Sequence, residues 1–250
     1  MPRLTDLLTL RAGRAACGRA ACGRAAWLAW LLSASIALSA CQDAPRSAAA
    51  DVPYVDVRRL PPGRNERVPD IMMQASDRGR ALGADSAPVR IFVISDYQCP
   101  ECRRWFDVTF PVIRAAYIET GKARLAWVHY PLREHADAVR AASAAMCASA
   151  QGRFIEASTR IFGAQARWAG APDAAVALDS LASVPGVDAF ALRNCTESNR
   201  MLRQIRMDIT WADTARVGAP PMVLVGARRI PGAASMATLR AAIDSAIAGR

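Results

Sequence analysis

Lysine is nearly missing from this 250-residue chain: Lys122 stands alone among 32 basic residues. The arginine bias has the look of a GC-rich coding sequence and says little about chemistry. Histidine is as scarce, with His129 and His135 the whole supply. A zinc site built on a cysteine pair would therefore lack a second Cys or His pair at ligand spacing. Aromatic residues make up 6% of the chain and nowhere interleave with basic ones as a base-stacking platform would, which argues against nucleic acid as a partner. The most apolar stretch near the amino end, Ala25 to Ala40, is too short for a comfortable membrane span.

That stretch follows Arg3, Arg11, Arg14, Arg19 and Arg24, the layout of a secretory leader. Gly13 to Cys17 recurs as Gly18 to Cys22, a repeat too short to be structural. The leader closes on Leu38-Ser39-Ala40-Cys41, which resembles the bacterial lipobox. The resemblance implies cleavage after Ala40, a lipid on the Cys41 thiol and membrane anchoring through it. An ordinary secretory signal cut nearby is the alternative. Gln42 at the next position points to the outer membrane by the enteric sorting rule. The leader carries five arginines and one aspartate, so the formal charge of +10 becomes +6 for residues 41–250.

With Cys17, Cys22 and Cys41 assigned to the leader and its lipid, Cys99, Cys102, Cys147 and Cys195 remain. An even set in an exported chain argues for disulfides, in any of three pairings. Cys99-Pro100-Glu101-Cys102 lies between a β-branched apolar run, Val89 to Ile94, and a helical pattern. Pro100 suits the first helical turn, where a missing N–H costs nothing. Cys99 then faces the positive end of the helix, which favours thiolate over thiol. Cys99 is read as the nucleophile and Cys102 as the resolving thiol of a redox pair. Half a zinc site, a structural disulfide and a copper-binding pair compete with this. Cu(I) is expected to draw on Met or His near the cysteines, and the motif holds neither.

Residues 41–82 are rich in breakers such as Asp51-Val52-Pro53 and Leu60-Pro61-Pro62-Gly63, and read as a tether. Within them, 70–76 could form a short element. Residues 88–95 read as a buried strand. Trp105, Phe106, Phe110, Ile113 and Tyr117 fall at helical spacing as core residues, with a kink expected at Pro111 and a stop at Gly121. Ala123 to Tyr130 is a second strand, completing a βαβ unit and hence a parallel pair. From His135 to about Val217 the pattern is helical: Ala136–Ala150, a helix marked by Phe154, Ala157, Ile161 and Phe162, then Ala174–Leu181, Asp188–Cys195 and Arg200–Ala215. That is too much helix for one crossover, so about 133–216 reads as an inserted subdomain. Pro221 to Ile230, turning at Gly226, reads as a hairpin, and Ser235 as the cap of a closing helix to Ala248.

Four segments carry a resemblance: Phe92–Trp105 with its Cys-Pro-Glu-Cys, His129-Tyr130-Pro131-Leu132, Ala141–Phe154, and Gly218–Gly232. From about residue 83 onward the chain is similar to the DsbA-like branch of the thioredoxin superfamily. The resemblance implies an α/β thioredoxin fold with a helical insertion, and protein thiol–disulfide exchange with exported substrates. It also implies recycling by a membrane redox partner and no cofactor beyond the Cys99–Cys102 pair. It makes Pro220 the cis-proline and Ala219 the preceding residue, whose backbone pairs with an extended substrate. Two departures stand out: Ala219 replaces the usual Val or Thr, and Pro221 follows directly. It pairs Cys147 with Cys195 in a structural disulfide, two buried free thiols being the alternative.

Glu101 bears on direction. An anion between the cysteines is expected to raise the Cys99 pKa and lower the potential below that of a strong oxidant, unless the carboxylate is screened in solvent. Asp96 reads as a turn cap, with proton acceptance from Cys102 as the alternative. His129 reads as packing and His135 as a helix cap. Reductase or isomerase work by the same fold remains open. No dimerisation domain of the isomerase kind is visible.

Overall fold

The computed structural model describes residues 71–249. The leader, Cys41 and most of the tether lie outside them. A five-stranded sheet runs in the order β1-β3-β2-β4-β5. Its centre is β2 (Val89–Ser95), parallel to β3 (Ala123–His129) and antiparallel to β4 (Met222–Val225). The edges are β1 (Ala81–Leu82), antiparallel to β3, and β5 (Arg228–Pro231), antiparallel to β4. Gly226 makes the β4–β5 turn at φ 57°, a conformation that costs a residue with a Cβ far more.

Residues 71–82, assigned to the tether by composition, belong instead to the fold. Helix α1 (Ile71–Gly79) docks on α4 (Ala138–Ser149). Ser76 Oγ donates to the Met146 carbonyl at 2.9 Å, and Ser149 Oγ donates to the Ser76 carbonyl at 2.7 Å. Arg80 follows, 8% exposed. It is ion-paired with Asp208 of α9 (Leu202–Thr214) and with Asp77. Polar anchoring of this kind has no hydrophobic period, which is why the sequence pattern missed it.

After β2 the helical stretch is not one kinked α-helix. Helix α2 (Pro100–Arg104) passes through a π-helical turn (Trp105–Thr109) into α3 (Phe110–Ile113) and a second π turn (Arg114–Ile118). Phe110 N–H bonds the Trp105 carbonyl, five residues back. The widened turn directly before Pro111 accommodates a residue that has no N–H to give. Trp105, Phe106, Phe110 and Tyr117 are all buried. Phe110 meets the Trp127 ring edge-on at 4.8 Å, so these aromatics fill the core between helix and sheet.

The insertion comprises α4, α5 (Phe154–Gly163), α6 (Gln165–Trp168), α7 (Ala174–Ala182), α8 (Ala189–Glu197) and α9. Cys147 of α4 and Cys195 of α8 are disulfide-bonded across 48 residues. In the chain-entropy view, closing a loop of that length stabilises by about 4 kcal/mol. Alanines at the buried positions of α4 let its neighbours approach closely. The chain then returns to the sheet and ends in α10 (Met236–Ala248). Ser235 caps α10, its Oγ accepting from Thr238 N–H at 3.1 Å.

Candidate active site: a cysteine pair at a helix start

Strand β2 delivers the chain to residues 96–99 and α2 begins at once. Cys99 is the N-cap, extended at φ −76°, ψ 122°, with Pro100 in the first turn. Both cysteines are free thiols. Cys99 is pushed down to about 6, chiefly by a hydrogen bond from the Cys102 thiol; burial opposes this, and the Cys102 and Glu101 backbone N–H groups assist. Cys102 is 1% exposed, and burial holds its thiol far above the usual range, reinforced by the neighbouring Cys99 sulfur. The pair thus divides into a ready thiolate and a guarded thiol, which is what sequential nucleophile and resolver require.

Glu101 does not act on Cys99 as its charge suggested. Its carboxylate is exposed and paired with Arg104 at 2.6 Å. Only its backbone N–H bears on the Cys99 sulfur, and that interaction favours the thiolate.

The second wall of the site corrects the sequence reading by one residue. The cis peptide bond joins Pro220 to Pro221, so the cis-proline is Pro221 and the preceding residue is Pro220. Ala219 is exposed. The Pro220 carbonyl faces Cys99 Sγ at 3.9 Å. The Pro221 carbonyl accepts from Gly232 N–H at 2.8 Å, and Met222 is already in register with Ile94. Two consecutive prolines look alike in sequence; the strand register that separates them is a tertiary property.

The insertion braces the loop from behind. Asp96 is a cap: its Oδ1 accepts from Gln98 N–H at 2.6 Å and its Oδ2 from Leu132 N–H at 2.8 Å. Oδ2 also meets His135 Nδ1 at 2.7 Å. Burial nonetheless raises the Asp96 pKa. Gln98 Oε1 accepts from Asp137 N–H at 2.9 Å. The Tyr97 hydroxyl pairs with Ser158 at 2.6 Å. Gln165 Nε2 donates to the carbonyls of Tyr97 and Cys99, at 2.7 and 3.0 Å. Gln165, Ser158 and Asp137 carried no signal in sequence, being single polar residues in helical runs more than thirty residues from their partners. His129 is buried between the rings of Tyr97 and Phe154.

Among the described residues no group of three or more His, Cys, Asp or Glu could hold a metal ion. Among them, too, no helix is long and apolar enough to cross a membrane.

A family model described as Thioredoxin matches residues 75–245. An Na(+)/H(+) antiporter NhaA 1 from Salinispora arenicola is 30% identical over 201 residues, covering 76% of this chain but 29% of its own. This chain therefore spans under a third of that relative's length. The probable disulfide bond formation protein D of Bacillus anthracis is 26% identical over 163 residues, covering 61% of this chain and 72% of its own. The oxidised structure of BdbD from Bacillus subtilis superposes with a TM-score of 0.60 at 22% identity, covering 69% of this chain and 95% of that one. That likeness is one of fold.

Proposed function

We propose, because the chain belongs to the thioredoxin family and to its DsbA-like branch, that it is a thiol–disulfide oxidoreductase of the bacterial envelope acting on exported proteins. The observation that carries this is the asymmetry of the pair: Cys99 stands at the start of α2 facing the Pro220 carbonyl, while Cys102 lies 1% exposed beneath it. The pKa of the first is lowered and that of the second raised.

In the oxidising direction a substrate thiolate attacks Cys99 Sγ. The Cys99–Cys102 bond breaks, Cys102 leaves and takes up a proton, and a mixed disulfide forms. A second substrate thiolate then attacks the substrate sulfur. Cys99 departs as a thiolate held by the Glu101 and Cys102 amides, and the substrate has lost two electrons to the pair. Stabilising the reduced form in this way makes the disulfide oxidising, which favours oxidase over reductase. The pair itself carries the electrons, so no dissociable cofactor enters the scheme, and a membrane redox partner restores the disulfide.

The rest of the assignment rests on the sequence: a lipid on Cys41, residues 1–40 as the leader, a tether shortened to about 42–70, and an outer-membrane, periplasm-facing position. Equilibrating the Cys99–Cys102 pair with glutathione buffers, then trapping mixed disulfides on a Cys102→Ser variant in the periplasm, tests the reading. Trapped exported proteins and a potential well above the roughly −270 mV of thioredoxin are expected. A thioredoxin-like potential would point to a reductase. Tight Cu(I) binding without exchange would point to a metal carrier.

A further inference from the structure

Asp96 touches both halves of the cysteine pair through its backbone. Its carbonyl accepts from Cys99 N–H at 3.2 Å, and its N–H faces Cys102 Sγ at 3.4 Å. The side chain folds back into the same turn, accepting from Gln98 N–H at 2.6 Å, and is wholly buried. An ionised carboxylate there is a like charge beside a thiolate on Cys99, and neighbouring like charges oppose each other's ionisation. Hydrogen bonds from the Cys102 thiol and the α2 amides keep the Cys99 pKa low, yet the Asp96 charge still pushes it upward.

As a cap Asp96 is already served by two amides, Gln98 N–H on Oδ1 and Leu132 N–H on Oδ2. A third partner, His135 Nδ1, stands 2.7 Å from Oδ2. An amide brings only partial positive charge, whereas an imidazole can carry a full one. The nearby arginines are committed elsewhere. On α2, Arg104 pairs with Glu101 and Arg103 with Asp107; behind the sheet, Arg80 pairs with Asp208 and Asp77. On the His135 segment itself Arg133 and Glu134 are exposed, and the Asp137 carboxylate accepts from Gly170 N–H at 2.7 Å. The imidazole is 20% exposed, so it takes its proton from water. Burial raises the Asp96 pKa, and the His135 contact draws it back.

We propose that His135 is a positioning residue of the redox site, its imidazolium balancing the Asp96 carboxylate so that Cys99 leaves a mixed disulfide beside a neutral pair. This rests on the thiol–disulfide reading above. In the oxidising direction a second substrate thiolate attacks the substrate sulfur, and the bond from that sulfur to Cys99 Sγ breaks. Cys99 keeps the electron pair, and a negative charge arrives on the turn that already holds Asp96. With the imidazolium in place the turn carries one net negative charge; without it, two. The mixed disulfide has no charge on Cys99 and feels the difference less. His135 therefore favours the reduced form, and a favoured reduced form makes the disulfide more oxidising.

His135→Asn keeps a donor for Asp96 Oδ2 but removes the charge. The midpoint of Cys99 thiolate absorbance should rise in this variant by about one pH unit, the low end of what a neighbouring charge does. At pH 7 that rise lowers the equilibrium constant for oxidation of glutathione about fivefold. Asp96→Asn removes the carboxylate itself, and adding His135→Asn to it should move the midpoint no further. Urea unfolding of both redox forms separates charge balance from bracing. Lost balance weakens the reduced form of His135→Asn more than the oxidised one, whereas a lost brace weakens both alike. Equal losses with an unmoved midpoint and constant overturn the proposal. So does a midpoint that rises as far with Asp96→Asn present as without it. If the unaltered pair does not equilibrate with glutathione at all, the oxidoreductase reading fails, and the absorbance midpoint still decides the charge balance.

Discussion

Gln165 Nε2 donates to the Cys99 carbonyl at 3.0 Å, and the same nitrogen donates to Tyr97 at 2.7 Å. A residue of the inserted helices thus holds the backbone that carries the nucleophile. The Cys99 carbonyl also accepts the first bond of α2, from Arg103 N–H at 3.1 Å, whereas the Tyr97 carbonyl lies in the turn before the helix. Replacing Gln165 with Leu would leave the Tyr97 carbonyl buried without that donor, at a cost of about 1–3 kcal/mol, while the Cys99 carbonyl keeps its bond from Arg103. Urea denaturation should report a loss of that size, and the rate of Cys99 alkylation should change with it as the turn loosens. Unaltered stability and alkylation would mean that the brace is dispensable.

Gly232 and Pro221 make a second close approach. A Cβ added at Gly232 would lie 2.4 Å from Pro221 Cγ and 2.7 Å from the Pro221 carbonyl oxygen. Backbone on one side leaves little room to yield, and overpacking of this kind costs about 1–3 kcal/mol. Gly232→Ala is expected to displace the Pro220 carbonyl from Cys99. Exchange with a peptide disulfide should slow while the alkylation of Cys99 by a small reagent is preserved. Comparing the two rates on one preparation checks this.

The buried Arg80–Asp208 pair ties the segment before the sheet to α9 and, through the His129 backbone N–H, to β3. Asp208→Ala leaves the buried guanidinium with Asp77 alone and strands the His129 amide donor. Breaking one partner of a buried ion pair typically costs 3–5 kcal/mol, and a loss of about that size is expected in thermal or urea unfolding. Arg80→Met together with Asp208→Leu should recover the part due to the guanidinium, since an apolar replacement of both charges leaves no cation short of its counter-charge, while the His129 N–H stays without its acceptor.

What could be read from the chain follows from what each feature depends on. Strands β2 and β3, the placement of Cys99 and Cys102 at the helix start, and the closing hairpin rest on local period and turn chemistry, which sequence carries. Aromatics at helical spacing, Trp105 to Tyr117, announced a core helix, but the π turns beside Pro111 are a matter of backbone hydrogen bonding and did not show. Glu101 stood between two readings because its effect depends on side-chain direction: turned out to Arg104, it follows the screened one and leaves its backbone to act on Cys99. Helix α1 reads in sequence only as a possible short element at 70–76, and its docking and the reach of Gln165 did not show for one reason. Ser76 and Gln165 hold distant partners through single hydrogen bonds, which leave no period to detect.

Because Glu101 faces solvent and Arg104, Glu101→Gln should move the Cys99 titration midpoint by less than about half a pH unit, as expected of a screened surface charge. Thiolate absorbance followed against pH measures this. A drop of a full pH unit in the variant would restore the carboxylate as a major influence.

The pH dependence of stability follows from the same pair. The Cys99 pKa is lowered in the folded protein, to about 6 against an ordinary 9.0. Its contribution to the reduced form is therefore absent below pH 6, grows between 6 and 9, and is complete above 9. Cys102 has the opposite sign. Its folded pKa is raised, so its contribution is present below 9 and declines above that, where the unfolded chain ionises and the folded one does not. The oxidised protein has neither contribution. Urea titrations of both forms at pH 5, 6, 7 and 8 should show the reduced form gaining on the oxidised one from 6 upward, with little change between 5 and 6. The potential should move with it, the disulfide becoming a stronger oxidant relative to an ordinary dithiol as the pH rises through 6. A stability difference that is flat from 6 to 8 would place the Cys99 thiolate outside the hold of the α2 amides and remove the basis for an oxidising direction.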